Sequence, residues 1–220
     1  MAITRTGPLT KDTTTIALGL AQIRVGASAG NITKQHPVLA AAASIGALAN
    51  TRFLGAAEYF KLSSGFPLLE DATFPLRESA GLECAFKEIT PANMALAKGL
   101  DPADYASTHS GKVALGTLAA PVILRVEAIY TYPDGTNTMS IVFPRAQVTA
   151  SIEMDFAEEE PAAVAISIQS NRADSGITDA ANPGNACWDD KPLGQILWDD
   201  GTGFTTTTTT TSSSTTTTAP

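Results

Sequence analysis

The chain has 220 residues, enough for one domain with a sizeable core, and its 44% hydrophobic and 16% charged content excludes a disordered chain. The net charge of −8 is unevenly spread: residues 1–150 carry 12 basic and 11 acidic side chains, residues 151–203 carry 2 and 11, and 204–220 carry none. An acidic C-terminal third argues against a surface that grips phosphates, since counterion release needs clustered Lys and Arg, and it suits a surface past which DNA slides without adhering.

Residues 1–8 lack the apolar core of a secretory signal, and the apolar run at 38–49, broken by Ser44 and Gly46, is too short to span a bilayer. No membrane association is expected. Residues 13–25 can hold a strand and 26–31 a loop, while the Ala-rich run 40–49 is open between a helix and an extended arm. Phe66-Pro67 and Phe74-Pro75 punctuate a stretch that reads as loop and edge strand. Residues 80–88 alternate, with Leu82, Cys84 and Phe86 on one face and Glu83 and Lys87 on the other.

Thr90-Pro91 is an N-cap followed by proline at the first helical position, where a missing N–H costs nothing. Met94, Ala97 and Leu100 recur at helical spacing, and Gly99 and Asp101-Pro102 end the segment, so one helix is expected over about 90–100. Residues 122–132 and 139–143 are rich in β-branched and aromatic types around Pro133-Asp134-Gly135-Thr136-Asn137, the composition of a hairpin. Strict alternation over 148–156 predicts a strand with Val148, Ala150, Ile152, Met154 and Phe156 on one face; Val164, Ile166 and Ile168 repeat it. Residues 174–190 are turn-rich, and Leu193, Ile196, Leu197 and Trp198 offer a closing strand, with Trp188 and Trp198 as anchors to the body or to a neighbour. Residues 205–218 are all Thr or Ser, the composition of a linker, an extended arm or a glycan-bearing strand.

Chemistry is hard to find. His36 and His109 sit in no catalytic or metal motif, and no nucleophile elbow, phosphate loop or dinucleotide fingerprint is present. Cys84 and Cys187 have no CxxC or Cys/His company, and read as free thiols or as one bridge within or between chains. Glu158, Glu159 and Glu160 read as a solvated turn or a surface facing a lumen or partner; Asp199-Asp200-Gly201 lacks the alternating ligands of a calcium loop. No catalytic residue, metal site or cofactor is expected.

Two blocks resemble a known family. Residues 58–101 contain Tyr-Phe-Lys-Leu-Ser-Ser-Gly-Phe-Pro-Leu-Leu-Glu-Asp, Pro-Leu-Arg-Glu-Ser-Ala-Gly-Leu-Glu-Cys-Ala-Phe-Lys-Glu-Ile-Thr and Leu-Ala-Lys-Gly-Leu-Asp. Residues 128–174 contain Tyr-Thr-Tyr-Pro-Asp-Gly-Thr-Asn-Thr-Met, Phe-Pro-Arg-Ala-Gln-Val and Ser-Asn-Arg-Ala-Asp-Ser. Over roughly half of the chain these blocks resemble bacteriophage tail tube (major tail) proteins. The resemblance implies a β-sandwich with a flanking helix, subunits joined in rings of six, and rings stacked into a hollow tube that conducts DNA without binding it specifically. Self-contacts and other tail proteins would be the partners, and the virion the location.

The expectations are therefore a mainly β protein: an antiparallel β-sandwich or barrel with one flanking α-helix, an extended N-terminal region (1–57), a sandwich domain (58–203) and a Thr-rich C-terminal arm (204–220). Glu127, Glu153, Asp155, Glu158, Glu159 and Glu160 are the candidates for a lumen or an interface. A capsid decoration protein, or a filament subunit with a glycosylated tail, is the alternative structural role, and a β-domain enzyme or ligand binder is the remaining class.

Overall fold

The computed structural model describes residues 19, 21–64, 69–105, 110–116, 120–149, 152–154 and 161–201. Its strands are β1 (Gln22–Ala27), β2 (Leu48–Ser64), β3 (Leu69–Phe86), β4 (Leu124–Thr131), β5 (Thr138–Thr149), β6 (Val164–Ser170) and β7 (Gln195–Asp199), with a helix α1 (Pro91–Ala97) between β3 and β4. All pairings are antiparallel, in the order β1-β4-β5-β6-β3-β2. Beyond β4, the other side of β5 is shared: β7 pairs with residues 138–142 and β6 with 146–149.

The alternation seen in the sequence becomes the core. Ile23 and Val25 of β1, Leu82, Cys84 and Phe86 of β3, Leu124 and Val126 of β4, Phe143 and Val148 of β5, and Val164, Ile166 and Ile168 of β6 form one buried cluster, closed by Leu96 of α1. Strands from opposite ends of the order meet in one cluster, so the sheet curls around its own apolar face. The mainly β architecture with one helix is as expected.

Local chemistry explains the elements between strands. Thr90 caps α1 by accepting from Asn93 N (3.2 Å), and Gly99 leaves the helix at φ +73°, a conformation costly for any residue with a β-carbon. At the β4–β5 turn, Asp134 accepts from the N–H groups of Thr136 and Asn137, both at 3.0 Å, and the first of these bonds lowers its carboxyl pKa most. Pro144 cannot donate to a ladder, yet it lies inside β5; the register slips between Leu124 and Val126 so that β5 carries an extra residue there.

The outward face of β4 and β5 is covered. Residues 28–39 and 171–194 lie over it, and Ile32, Val142, Ala173 and Trp188 make a second buried cluster. Trp188 Nε1 donates to Ile32 O at 2.6 Å, and Gln35 Nε2 to Cys187 O at 2.8 Å.

Several expectations change. The Ala-rich run is not a full helix: Ala41–Ala43 is one 3-10 turn, Ser44 bridges Arg24, and Ile45 enters the main core. The stretch read as loop and edge strand belongs in its described part to two long strands, 48–64 and 69–86, the second running on into the strand expected from residue 80; Phe74-Pro75 lies within β3, and Phe66-Pro67 falls outside the described residues. The strand foreseen at 148–156 stops at Thr149, although Ile152 and Met154 still pack on the core as the alternation required. Position 152 thus takes its burial from tertiary packing without ladder hydrogen bonds. Ala150 and Phe156 are not among the described residues.

Both cysteines are free. Burial pushes the Cys84 thiol up to about 12, and burial also raises Cys187, which remains half-exposed. Iodoacetamide at pH 8 should therefore label Cys187 alone in the folded protein and reach Cys84 only in denaturant; equal labelling rates would contradict the burial. The neutral Cys84 thiol is compatible with the fold at any pH below 9.0, the ordinary value. Between there and about 12 the unfolded chain ionises while the folded one does not, so this thiol lowers stability as pH rises through that window.

Candidate assembly surface

The hairpin of β2 and β3 outgrows the body. β6 pairs with β3 only over Gly81–Phe86, and among the described strands β2 pairs with β3 alone. Residues 69–80 of β3 and their partners on β2 therefore form a two-stranded ribbon reaching roughly 40 Å beyond the last β6 contact, at about 3.3 Å per residue. Gly81 marks its root, where a β-carbon would come within 2.8 Å of Ile168 O. Along the ribbon the register slips at Leu76, beside Pro75, and again at Asp71, which increases local twist.

Five large apolar side chains stand on this ribbon, Tyr59, Phe60, Leu62, Phe74 and Leu76, each 44–62% exposed. Phe60 lies directly opposite Phe74. The ribbon's charges are self-satisfied in part, as Arg77 and Glu58 pair across the strands at 3.1 Å. An isolated hairpin is marginal in water, and uncovered apolar area of this extent marks an interaction surface.

A second surface is polar. On the side of β2, β3 and β6 that turns away from the core, Asn50, Arg52, Glu83, Ala165 and Ser167 border a shallow depression, joined by Thr149 and Glu153. Arg52 and Glu83 pair at 3.6 Å with both side chains well exposed. Among the described residues, no loop layer like that over β4 and β5 contributes to its lining.

The candidate carboxylates separate accordingly. Glu153 is exposed and sits on this polar face. Asp155, Glu158, Glu159 and Glu160 lie outside the described residues. Glu127 is not at a surface. Its side chain and that of Arg125 are 0% exposed, joined at 2.6 Å beneath residues 31–39. Arg125 donates to the carbonyls of Asn31 (3.0 Å), Lys34 (2.8 Å) and His36 (2.8 Å), while Glu127 accepts from the N–H groups of Val38 and Leu39, each at 2.9 Å. This pair fixes the covering loop onto β4, which removes Glu127 from any lumen or partner surface. The signal was present in the sequence: residues 125 and 127 share a strand face and carry opposite charges.

Four described carboxylates of the acidic third, Asp174, Asp179, Asp189 and Asp190, lie on the 171–194 layer. Arg172 hydrogen-bonds Asp174 and holds its carboxyl below the usual range; Asp189 accepts from Ser175 N (2.8 Å), and Asp179 lies 3.9 Å from Arg145. Among the described residues no three His, Cys, Asp or Glu side chains converge as metal ligands, and His109 is outside them. No described helix is long and apolar enough to cross a membrane.

Comparison with known proteins gives likenesses of shape at low identity. No family model and no curated protein matches the sequence. A chain of the sheath-tube complex of an extracellular contractile injection system, PVC, in its extended state superposes with a TM-score of 0.42 at 11% identity, covering 88% of this chain and 99% of that one. A chain of the anti-feeding prophage cap, the AFP tube terminating cap, gives 0.39 at 10% identity, covering 87% and 98%.

Proposed function

We propose that this chain is a structural, non-enzymatic subunit of a phage-type tail tube, assembling with copies of itself into stacked hexameric rings around a DNA-conducting channel. The observation that carries the reading is the β2–β3 ribbon, long, unpaired beyond the body and apolar on its exposed residues. At about 25 cal/mol per Å², covering roughly 100 Å² of each of five side chains would contribute on the order of 10 kcal/mol per subunit before association entropy, a gain that packing against another copy would realise. The edge of β2 away from β3, which no described strand pairs, is a further site for strand pairing between copies, which ring closure would satisfy.

The polar face bearing Arg52, Glu83 and Glu153 is the surface offered to the channel, and Asp155 and Glu158 to Glu160 stay candidates for the same role on their charge alone. Opposite charges are interspersed there and the described residues form no basic cluster, so DNA would pass without being held. Other tail proteins would close the two ends, and the assembled particle would belong to a virion. The sequence resemblance of residues 58–101 and 128–174 to tail tube proteins supports the same role.

Negative-stain microscopy of the purified full chain tests the proposal. Rings or hollow tubes with a central stain-filled hole are expected. Dispersed single particles at high concentration, or solid fibres without a bore, would sink it.

A further inference from the structure

Beside the root of the ribbon the curled sheet is open, and the opening is an apolar groove. Phe53 and Leu82 form one wall, Tyr130, Met139 and Ile141 the other, and among the described residues no charged side chain lines it. Across the β5–β7 ladder, Trp198 stands opposite Met139 and Ile196 opposite Ile141, which puts both on the groove's face. Trp198 is 65% exposed and Ile196 and Phe53 are also exposed. In the floor, Thr51 Oγ1 is buried without a hydrogen-bond partner.

Resting on the tube-subunit reading, we propose that this groove is the receptor for the β2–β3 ribbon of a second copy, with Phe60, Phe74 and Leu76 seated against Phe53, Met139 and Trp198. Area is the first argument. With aromatics at about 200 Å² and half exposed, ribbon and groove together offer on the order of 800 Å² of apolar surface, the apolar share of a standard interface of about 1,400 Å². Polarity is the second. The groove lining has no charge, and the ribbon's Glu58 and Arg77 already pair with each other, so docking strands no ion. The ribbon's free strand edges also carry N–H groups that can reach an unpartnered hydroxyl such as Thr51 Oγ1. The two surfaces differ, so the contact is heterologous and propagates from copy to copy.

Two variants test this. Phe60→Lys with Phe74→Glu spoils the ribbon while leaving the groove, and Ile196→Lys with Trp198→Glu spoils the groove while leaving the ribbon. Each alone should be monomeric in sedimentation velocity with a native circular dichroism spectrum. Mixed, they should form a 1:1 dimer and nothing larger, since each pair joins one intact ribbon to one intact groove. Fluorescence gives a second readout: Trp188 is fully buried in both variants, so a shift of emission to shorter wavelength on mixing reports Trp198 of the ribbon variant becoming covered. A groove variant that still assembles, or a mixture that yields neither dimer nor shift because residues before Gly19 or another partner fill the groove, overturns the pairing. A wild-type chain that never assembles overturns the tube reading itself.

Discussion

Replacing Glu127 by alanine should lower stability by about 3–5 kcal/mol, a large part of the 5–15 kcal/mol usual for a domain. The carboxylate lies fully buried against Arg125 and accepts from two backbone N–H groups of the loop above it. Alanine leaves a guanidinium in the interior without its counter-charge and orphans the N–H groups of Val38 and Leu39, each costing about 1–3 kcal/mol when buried without a partner. A buried ion pair can often be replaced by an apolar pair of equal volume at little cost. Here it cannot, because Arg125 also satisfies the carbonyls of Asn31, Lys34 and His36. Arg125→Met combined with Glu127→Leu should therefore remain destabilised. Urea unfolding followed by Trp188, whose indole bonds Ile32 in the same loop, reports the effect. A midpoint within error of wild type for Glu127→Ala would show that residues 31–39 are held by something other than this pair.

The second large effect concerns assembly without loss of fold. Phe60→Lys with Phe74→Glu exchanges a facing apolar pair for a facing ion pair, so the ribbon keeps its ladder and its cross-strand attraction. Both positions are about half exposed in the isolated chain, and folding should change by less than about 1 kcal/mol. Each phenylalanine would lose roughly 2.5 kcal/mol of burial at a contact, so two weaken each contact by about 5 kcal/mol, on the order of a thousandfold or more. A tube repeats that loss at every subunit. Particles of wild-type length from this variant would show that the ribbon is not part of the contact.

Much of the interior was legible because it depends on periodicity. Leu82, Cys84 and Phe86, then Val164, Ile166 and Ile168, alternate in sequence and are buried in the structure, and the Thr90-Pro91 start of the helix follows from capping chemistry alone. The ribbon was not legible. Its residues read as loop and edge strand because Phe74-Pro75 and Phe66-Pro67 break the pattern, and the cost of proline is small on a strand with an open edge and a bulge. Of the candidate carboxylates, Glu153 lies on an open polar face, whereas Glu127 went inside: a charge on a strand is exposed by default, and only a loop 89 residues away with complementary backbone groups reverses that.

The amino-acid sequence alone determined strand and helix propensity, turn chemistry, the side of each strand that seeks an apolar environment, and the segregation of negative charge toward the C-terminal third. These depend on neighbours a few residues apart, and the chain carries that information locally. The tertiary structure decided which outward faces are covered, that Trp188 is buried while Trp198 stays exposed, and that the sheet ends in a ribbon beside an open groove. Such features require distant segments to meet, as residues 31–39 meet β4, and no window of local pattern holds that pairing.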